Sequence, residues 1–312
     1  MTARIVISEF MDAPAVEKLR SRFDVDYRPE LVDDAAALAE AVAQADAWIV
    51  RNRTQVRGPA LEAARRVRVV GRLGVGLDNI DVEACARLGI EVVPATGANA
   101  ESVAEYVIAT ALILLRGAYF SSAQVAAGAW PREPLTRGRE AGGKLLGLVG
   151  FGSIGRITAR KAIALGMRVA ASDPQVPTAH PSYSQAGVSP LDLDRLLAES
   201  DVVSIHVPLT ADTRGLFDAA RLQRMKPDAV LVNTSRGGIV DEGALAAALR
   251  QGHLAGAALD VFGDEPLRAG SVLAGVPRLI LTPHIAGVTA ESNARVSELI
   301  AERVAGALDS ST

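Results

Sequence analysis

The feature that most constrains this chain of 312 residues is an alternation of short β-rich runs with helical segments, which occurs in two successive series. In the first series, strands are predicted at residues 4–8, 48–50, 67–70 and 90–93. In the second, they are predicted at residues 145–149, 168–172, 202–207, 229–233, 256–259 and 279–282. Such alternation is typical of parallel sheets covered by helices on both faces. The sequence therefore predicts an α/β protein with two doubly wound parallel-sheet domains.

The segment between the two series differs from both in composition and in hydrophobic pattern. Residues 101–116 form a long, nearly apolar helical pattern, and residues 128–143 are rich in Gly, Pro and Arg, as in a surface loop. The domain boundary is expected near residues 94–99. A last helix is predicted at residues 289–308, and the pattern alone leaves open which sheet it covers.

Composition and charge exclude several classes of protein. A hydrophobic fraction of 49% with 22% charged residues is incompatible with wholesale disorder. The net charge of -3 gives no reason to expect nucleic acid or an anionic membrane as a partner. Residues 107–115, the longest nearly apolar run, are too few to cross a bilayer. The N-terminal residues are predicted to form a first strand instead of a signal peptide.

Cysteine is used once, at Cys85. One cysteine can form neither an intramolecular disulfide nor a cysteine-based zinc site, and no metal site is predicted. This usage fits a reducing compartment, so a cytoplasmic location is expected. Cys85 itself is interpreted as a buried helix residue.

The sharpest local motif is G-F-G-S-I-G, which follows the predicted strand at residues 145–149 and opens a helix. Gly150 permits a tight turn, Gly152 lets the backbone approach a pyrophosphate, and Gly155 allows close packing of helix on strand. The N–H groups of the helix N-terminus attract the same anion. Asp173 follows the next strand, 18 residues after Gly155, close to the spacing of an acid that accepts from ribose hydroxyls. The residues after Asp173 include no arginine for a 2′-phosphate, so NAD is favoured over NADP.

Three polar residues lie at or beyond the ends of later predicted strands: Arg236, Glu265 and His284. Ligands of open α/β sheets bind outside the carboxyl ends of the strands. A guanidinium grips a carboxylate with two parallel bonds, and histidine exchanges protons near neutral pH, helped by a neighbouring carboxylate. Spacing alone does not single out His284. His180, His206 and His253 are interpreted as solvated or capping residues.

Five segments in order along the chain resemble the D-isomer-specific 2-hydroxyacid dehydrogenases, the family that includes the D-3-phosphoglycerate dehydrogenases. They are residues 71–81, 150–155, 233–242, 256–266 and 282–287. The resemblance implies that Arg236 binds and polarises a 2-oxo acid, that His284 is the acid/base and that Glu265 is its partner. It also implies that Ser153, Ile154, Val207, Thr234, Ser235 and Asp260 line the NAD site. Val207 departs from relatives that carry a polar residue there.

The resemblance also implies the domain organisation and the partners. Residues 1–98 with 285–312 would form a flavodoxin-like substrate domain, and residues 99–284 a Rossmann NAD-binding domain. A homodimer is expected, with its contact in residues 101–116 and the loop that follows. The partner expected besides NAD is a small 2-hydroxy or 2-oxo acid.

Two features bear on the substrate. Gly74, Val75 and Gly76 form a glycine-rich bend whose N–H groups suit a carboxylate, while Asp78 to Asp81 is interpreted as a helix cap. Several arginines lie near the ends of predicted strands or in the loop at residues 130–132, and together they suggest a second negative group on the substrate. Any single arginine at such a position is more often solvated. These arginines are Arg51, which we include among the substrate-binding residues, and Arg53, Arg72 and Arg132.

Six segments that include residues 50–54, 72–81 and 130–132 resemble the bacterial (S)-sulfolactate dehydrogenases within this family. Those enzymes interconvert sulfolactate and sulfopyruvate, both dianions. A phosphoglycerate dehydrogenase remains the alternative, and another 2-oxo acid reductase is also open. Formate dehydrogenases carry glutamine where Glu265 stands. NAD(H)-sensing corepressors share the fold but need partner-tethering tails, and only a short tail follows residue 308. Steady turnover of a 2-hydroxy acid would separate an enzyme from such a binding protein.

Overall fold

The computed structural model describes residues 2–310. They form two compact units, one of residues up to Asn99 together with those from Val288 on, and one of Ala100–Gly287. Within residues 2–310 no single helix is long and apolar enough to cross a membrane, although the bent pair Ala100–Arg116 and Ala118–Ala126 would pass by length and composition.

The first unit contains a sheet of five parallel strands. They are β1 (Arg4–Ile7), β2 (Asp24–Tyr27), β3 (Ala47–Val50), β4 (Val69–Arg72) and β5 (Glu91–Pro94), in the order β2-β1-β3-β4-β5. This order is that of flavodoxin-like sheets. The predicted strands are confirmed, and β2 is an addition. Its sequence, Asp-Val-Asp-Tyr, lies at the sheet edge and is at most half-buried, so it lacks the apolar run of the central strands.

Helices cover both faces of this sheet. They are α1 (Ala13–Arg20), α2 (Ala35–Val42), α3 (Gly58–Ala63), α4 (Val82–Arg87) and the C-terminal helix Ala290–Asp309. Alternate strand residues point to opposite faces, so Ile5 packs with α1 and the C-terminal helix while Val6 packs with α2 to α4. Gly71 of β4 lets the C-terminal helix approach, since a Cβ there would lie 2.7 Å from Val304 Cγ2. Two smaller predictions are confirmed: Asp81 caps α4, and Cys85 is buried in it.

The second unit contains a sheet of seven parallel strands. They are β6 (Leu145–Val149), β7 (Arg168–Ser172), β8 (Ser189–Pro190), β9 (Val202–Ile205), β10 (Val230–Asn233), β11 (Gly256–Leu259) and β12 (Leu279–Leu281). Their order, β12-β11-β10-β9-β6-β7-β8, is the Rossmann order with one further strand. Its order reverses between β6 and β9, which is where such sheets bind nucleotides. Only the two-residue β8 was not predicted.

Helices again cover both faces of this second sheet. They are α5 (Ala100–Arg116), α6 (Ser122–Ala126), α7 (Ser153–Ala164), α8 (Pro181–Ala186), α9 (Leu193–Glu199), α10 (Ala219–Arg224) and α11 (Glu242–Arg250), and the C-terminal helix of the first unit is α12. One core joins the sheet to α5 and α7, and the other joins it to α9, α10 and α11. Strands β6, β9, β10 and β11 are buried along their whole length, which explains their continuous apolar runs.

Candidate active site

The glycine motif forms a tight turn between β6 and α7. Gly150 has φ +101°, which is disfavoured for residues with a side chain, and a Cβ there would lie 2.6 Å from the carbonyl oxygen of His206. A Cβ on Gly155 would lie 2.5 Å from the Gly150 carbonyl oxygen. Gly152 differs, because a Cβ there meets no protein atom within 4 Å. Two glycines are therefore required by the fold, and the third leaves open space in front of the turn.

The surroundings of this turn fit NAD. Gly152 is the N-cap residue of α7 and has no side chain with which to cap it, so the first-turn N–H groups lack a side-chain acceptor there and suit an anion. Asp173 follows β7, and its carboxylate accepts from the N–H of Phe151 (2.7 Å) and of Gln175 (2.8 Å). A carboxylate has about four acceptor sites, so Asp173 retains capacity for ribose hydroxyls.

Two further residues after β10 belong to the predicted NAD site. Thr234 Oγ1 is buried and has no hydrogen-bond partner within residues 2–310, as expected where a ligand supplies one. Ser235 donates its hydroxyl to the carbonyl of Ile205 (2.7 Å), which ties the ends of β9 and β10 together. The hydroxyl groups of Thr234 and Ser235 therefore fit a site that binds the polar groups of a dinucleotide.

His284 and Glu265 are joined by a hydrogen bond in the second unit. Nδ1 of His284 lies 2.7 Å from Oε2 of Glu265, and Oε1 of Glu265 accepts from the N–H of Phe262 (3.0 Å). An ionised carboxylate only accepts, so Nδ1 carries the hydrogen and Nε2 is left to exchange a proton. Both side chains are partly exposed, 48% for His284 and 36% for Glu265, so a small substrate can reach them. The structure thus brings together two of the three residues predicted to be catalytic.

The backbone at His284 is strained and is held by Asp260. His284 has φ +54°, a left-handed conformation that costs a non-glycine residue roughly 1 kcal/mol or more. Its N–H donates to the carbonyl of Asp260 (2.8 Å), and the Asp260 carboxylate accepts from the N–H groups of Ile285 and Ala286 (2.8 Å each). Asp260 was predicted to line the NAD site. The structure shows that its buried carboxylate holds the turn that carries His284.

Arg236 follows β10, the strand beside β11, and its half-buried side chain donates to the carbonyl of Ser235 (2.6 Å). Its backbone carbonyl accepts from Asn233 Nδ2 (3.0 Å). The next residue must be glycine, because a Cβ on Gly237 would lie 1.7 Å from the carbonyl oxygen of Phe262. The bend that contains Arg236 and Gly237 therefore packs against the loop that follows β11. Glu265 belongs to that same loop.

Arg51 lies at the carboxyl end of β3 in the first unit, and its guanidinium is half-buried. Nη2 donates to Oδ1 of Asn293 (2.8 Å), and the Arg51 N–H donates to the buried carboxylate of Glu9 (2.8 Å). Glu9 also accepts from the N–H groups of Arg53 (3.1 Å) and Thr54 (2.9 Å). Burial lowers the pKa of Arg51, and the charge of Glu9 opposes this. The guanidinium is thus held by a rigid loop and bonds a neutral amide.

The bend at Gly74, Val75 and Gly76 differs in one respect from the predicted cluster of N–H donors. The Gly74 N–H already donates to the carbonyl of Arg72 (2.7 Å), and Gly74 has φ +153°. The predicted carboxylate site therefore depends on the N–H groups of Val75 and Gly76.

Two of the other arginines considered for the substrate, Arg53 and Arg132, are exposed, whereas Arg72 is half-buried. Arg53 is exposed and pairs with Asp33. Arg72 donates to the carbonyl of Leu73 (2.8 Å), and Arg132 is exposed. Arg51 and Arg72 are thus the half-buried members of the four, and Arg51 is the one whose guanidinium bonds a side-chain amide, that of Asn293.

The histidines outside the pair required one correction. His180 caps α8 as interpreted, and His253 Nε2 lies 3.2 Å from the carbonyl of Leu222. His206 is not a solvated or capping residue: Nε2 bonds Ser204 Oγ (3.0 Å), and Nδ1 is buried without a partner within residues 2–310. Burial lowers the pKa of His206 to about 4. The signal available in the sequence was its place between Ile205 and Val207, inside the predicted strand at residues 202–207.

Sequence reasoning also missed Tyr106 and Thr282. The Tyr106 hydroxyl lies 2.6 Å from Thr282 Oγ1, and Thr282 donates to Asp260 Oδ1 (2.6 Å). Thr282 lies two residues before His284, within a segment that carried the family resemblance. Tyr106 lies 176 residues from Thr282 along the chain, and nothing in the helix pattern indicated the contact.

Comparison with known proteins places this geometry in a family. The model described as "D-isomer specific 2-hydroxyacid dehydrogenase, NAD binding domain" matches residues 108–286. A relative named (S)-sulfolactate dehydrogenase, from Chromohalobacter salexigens, is 53% identical over 304 residues, which cover 97% of this chain and 98% of that protein. The D-3-phosphoglycerate dehydrogenase of Mycobacterium leprae is 41% identical over 275 residues, 88% of this chain and 51% of that protein. The present chain thus spans about half the length of that phosphoglycerate dehydrogenase.

Solved structures agree on the fold. The TT0316 protein from Thermus thermophilus has a TM-score of 0.87 and 34% identity, covering 98% of this chain and 97% of that one. The matches to the sulfolactate dehydrogenase and to the TT0316 protein extend over nearly the whole chain. They therefore include both sheets, the glycine turn and the His284–Glu265 pair. On this evidence the chain belongs to the D-isomer-specific 2-hydroxyacid dehydrogenases and is an NAD-dependent oxidoreductase of that family.

Proposed function

We propose that this enzyme interconverts (S)-sulfolactate and sulfopyruvate with NAD. The observation that carries the chemistry is the 2.7 Å bond between His284 and Glu265, which leaves Nε2 of His284 available for proton transfer. The relative with 53% identity over nearly both lengths carries the name of this activity. Arg51 supports a second negative group on the substrate, because a half-buried guanidinium gains most from an anionic partner.

The proposed roles follow the direction of the reaction. In oxidation, Nε2 of His284 accepts the proton of the 2-hydroxyl group, and Glu265 stabilises the resulting imidazolium. NAD supplies the acceptor for the hydride that leaves C2, and in its reduced form the hydride donor. In reduction, protonated His284 returns the proton to the oxygen at C2. Arg236 binds the substrate carboxylate and stabilises negative charge on that oxygen as it develops.

The coenzyme contacts are proposed residue by residue. The turn at Gly150, Gly152 and Gly155 and the first α7 residues, Ser153 and Ile154, would hold the pyrophosphate. Asp173 would accept from the ribose hydroxyls and repel a 2′-phosphate, because no arginine follows it to bind one. The remaining contacts are proposed for Val207, Thr234 and Ser235, whereas Asp260, predicted with them, is buried and uses its carboxylate to support the His284 turn.

The substrate groups are assigned to the first unit in the same way. The N–H groups of Val75 and Gly76, with the bend that Gly74 permits, would bind the carboxylate, and Arg51 would bind the sulfonate. In this assignment residues 1–98 with 285–312 bind the substrate, and residues 99–284 bind NAD.

The experiment that tests this function is NADH oxidation with a panel of 2-oxo acids: sulfopyruvate, hydroxypyruvate phosphate, oxaloacetate, pyruvate and glyoxylate. We expect kcat/KM for sulfopyruvate to exceed that for pyruvate by about 100-fold or more, since an unpaired buried charge discriminates strongly. Preference for hydroxypyruvate phosphate would instead favour the phosphoglycerate alternative. Preference for a monoanion would contradict the dianion assignment, and no turnover would favour an NAD(H)-sensing protein.

A matched pair of variants tests the assignment of Arg51. Arg51→Met removes the half-buried guanidinium, and Arg53→Met removes an exposed one two residues away. We expect the first to lose most of the preference for sulfopyruvate over pyruvate, and the second to keep it. Equal behaviour of the two variants would contradict the role of Arg51.

We further propose a cytoplasmic homodimer. Large hydrophobic side chains are exposed along the segment after α5, among them Tyr119 (64%) and Trp130 (79%), which supports a contact between copies there. Light scattering would give the mass of the assembly. Tyr119→Glu is expected to weaken it, while Val272→Glu, at another exposed apolar site, is expected to leave it intact. The free, buried thiol of Cys85 fits a reducing compartment, which cell fractionation would test.

A further inference from the structure

Three side chains of the second unit form a continuous hydrogen-bonded chain that the catalytic assignment does not use. Tyr106 on α5 lies 2.6 Å from the hydroxyl of Thr282, which follows β12, and Thr282 lies 2.6 Å from the carboxylate of Asp260, which follows β11. These contacts connect a helix on one face of the sheet to the carboxyl ends of two neighbouring strands.

The direction of each hydrogen bond in this chain is determined by its last member. Asp260 is 1% exposed, and its ionised carboxylate can only accept, so the Thr282 hydroxyl donates to it. The hydrogen of Thr282 is then committed, and Tyr106 must donate to its oxygen. Burial raises the pKa of Tyr106, and the negative charge of Asp260 raises it further. The hydrogen bond to Thr282 lowers this pKa but does not cancel the rise. The phenol therefore keeps its proton at neutral pH and remains a donor.

The same carboxylate holds the turn that carries His284. Oδ1 of Asp260 accepts from Thr282 and from the N–H of Ile285, and Oδ2 accepts from the N–H of Ala286. His284 lies between these contacts in its left-handed conformation. A rotation of the carboxylate would therefore change the support of the turn on both sides of His284.

We propose that Tyr106 is a positioning residue for the reaction: through Thr282 it fixes the rotamer of Asp260, and thereby the direction in which His284 presents Nε2. Tyr106 touches neither substrate nor coenzyme in this role. The inference rests on the proposed proton transfer by His284, and it adds a residue on α5 to the groups that set its rate.

A double-mutant cycle tests the order of the chain. Tyr106→Phe removes the donor and keeps the ring, Thr282→Val removes the hydroxyl, and Thr282→Ser keeps it. Because small displacements of a catalytic group cost large factors in rate, we expect kcat to fall about fivefold in Tyr106→Phe and about 20-fold in Thr282→Val. Thr282→Ser should remain within about twofold of the wild type.

The double variant gives the decisive comparison. If Tyr106 acts through Thr282, adding Tyr106→Phe to Thr282→Val changes kcat no further. A further fivefold loss would show that Tyr106 acts by another route and would overturn the proposal. The Kd for NADH, from fluorescence titration, is expected to stay within about twofold in every variant. A larger change in this Kd with kcat unchanged would mean that the chain serves coenzyme binding, and would equally overturn it.

A spectroscopic readout keeps the inference separate from the proposed function. The chain contains four histidines, so protein labelled with 15N-histidine gives a small set of ring signals, and His284→Asn assigns one of them. Tyr106→Phe and Thr282→Val are expected to shift the His284 signal. The matched control is Tyr27→Phe, which removes a hydroxyl bonded to the Met11 backbone in the other unit. This variant should leave the His284 signal unchanged.

The two readouts separate the possible failures. If no 2-oxo acid is turned over, the proposed function fails, and the His284 signal still reports whether Tyr106 positions the turn. If turnover is normal and the signal does not respond to either variant, the positioning role fails alone. Loss of melting temperature in Tyr106→Phe with unchanged kcat and an unchanged His284 signal would show a purely structural hydrogen bond and contradict the proposal.

Discussion

The Nδ1 atom of His284 lies 2.7 Å from Oε2 of Glu265, and this bond joins the segments that follow the neighbouring parallel strands β12 and β11. The N–H of Phe262 holds the other oxygen of Glu265. The pair is therefore fixed at both ends: Glu265 by the loop after β11, and His284 by the turn that Asp260 supports.

Replacing Glu265 with Gln tests the contribution of the negative charge. The amide keeps the shape of the side chain but stabilises an imidazolium poorly. Because the pair is partly exposed, we expect kcat to fall about 10- to 100-fold, less than for loss of the histidine itself. Steady-state rates at saturating substrate and NADH would measure this, with the Kd for NADH as the control. A kcat within about threefold of the wild type would show that Glu265 does not assist His284.

Substitutions at two glycines of the turn are expected to affect different properties: Gly155→Ala the stability of the fold, and Gly152→Ala the binding of NADH. In Gly155→Ala the new Cβ meets the Gly150 carbonyl oxygen at 2.5 Å, so we expect a loss of roughly 1–3 kcal/mol of stability. In Gly152→Ala it meets no protein atom within 4 Å, so the melting temperature should hardly change while NADH affinity falls at least about tenfold. Thermal melts and fluorescence titrations would measure the two effects. Unchanged NADH binding in Gly152→Ala would argue against pyrophosphate at this turn.

Asp173 is expected to set the choice of coenzyme. Asp173→Ala removes both the acceptor for the ribose hydroxyls and the repulsion of a 2′-phosphate. The ratio of kcat/KM for NADPH to that for NADH should rise about 100-fold, mainly through loss of activity with NADH. Asp192→Ala is a matched control, because it removes a carboxylate that likewise accepts a backbone N–H, from Arg195, at the cap of α9. An equal change of the ratio in both variants would contradict the role of Asp173.

His206 predicts a loss of stability in acid. Burial lowers its pKa to about 4 in the folded protein, against about 6.5 in an unfolded chain. Between these values the unfolded state binds more protons, so the free energy of unfolding falls as the pH falls from about 6.5 to about 4. The residue as a whole is only partly buried, so we expect a contribution of about 2 kcal/mol, less than the full shift would give.

Urea denaturation across this pH range, compared between the wild type and His206→Gln, isolates that contribution. The variant should lose less stability in acid than the wild type. His180→Gln, which removes an exposed histidine, should keep the wild-type pH dependence. If His206→Gln also keeps it, the ring is not buried in a neutral form.

The parts predictable from sequence are those determined by local pattern. The helix predicted at residues 101–116 is α5, Ala100–Arg116, and the strand predicted at 168–172 is β7 with the same bounds. Both carry strong periodicity or an uninterrupted apolar run. Strand β2 was missed because an edge strand pairs on one side and needs little apolar sequence, and Asp24 and Asp26 obscure its pattern.

The parts of the site that sequence could not give depend on contacts across the fold. Glu265 and His284 were identified by family resemblance, since their spacing alone was uninformative. The support of the His284 turn by Asp260, and the link from Asp260 to Tyr106, arise because β11, β12 and α5 meet in space. Likewise, the N–H of Gly74 is used inside its own bend, which the glycine pattern did not reveal.

The central claim, that His284 transfers the proton in reduction of a 2-oxo acid, is tested most directly by kcat for His284→Ala at saturating sulfopyruvate and NADH. We expect a loss of about 10²- to 10⁴-fold, with an unchanged Kd for NADH and a wild-type melting temperature. Retention of wild-type turnover would contradict the account.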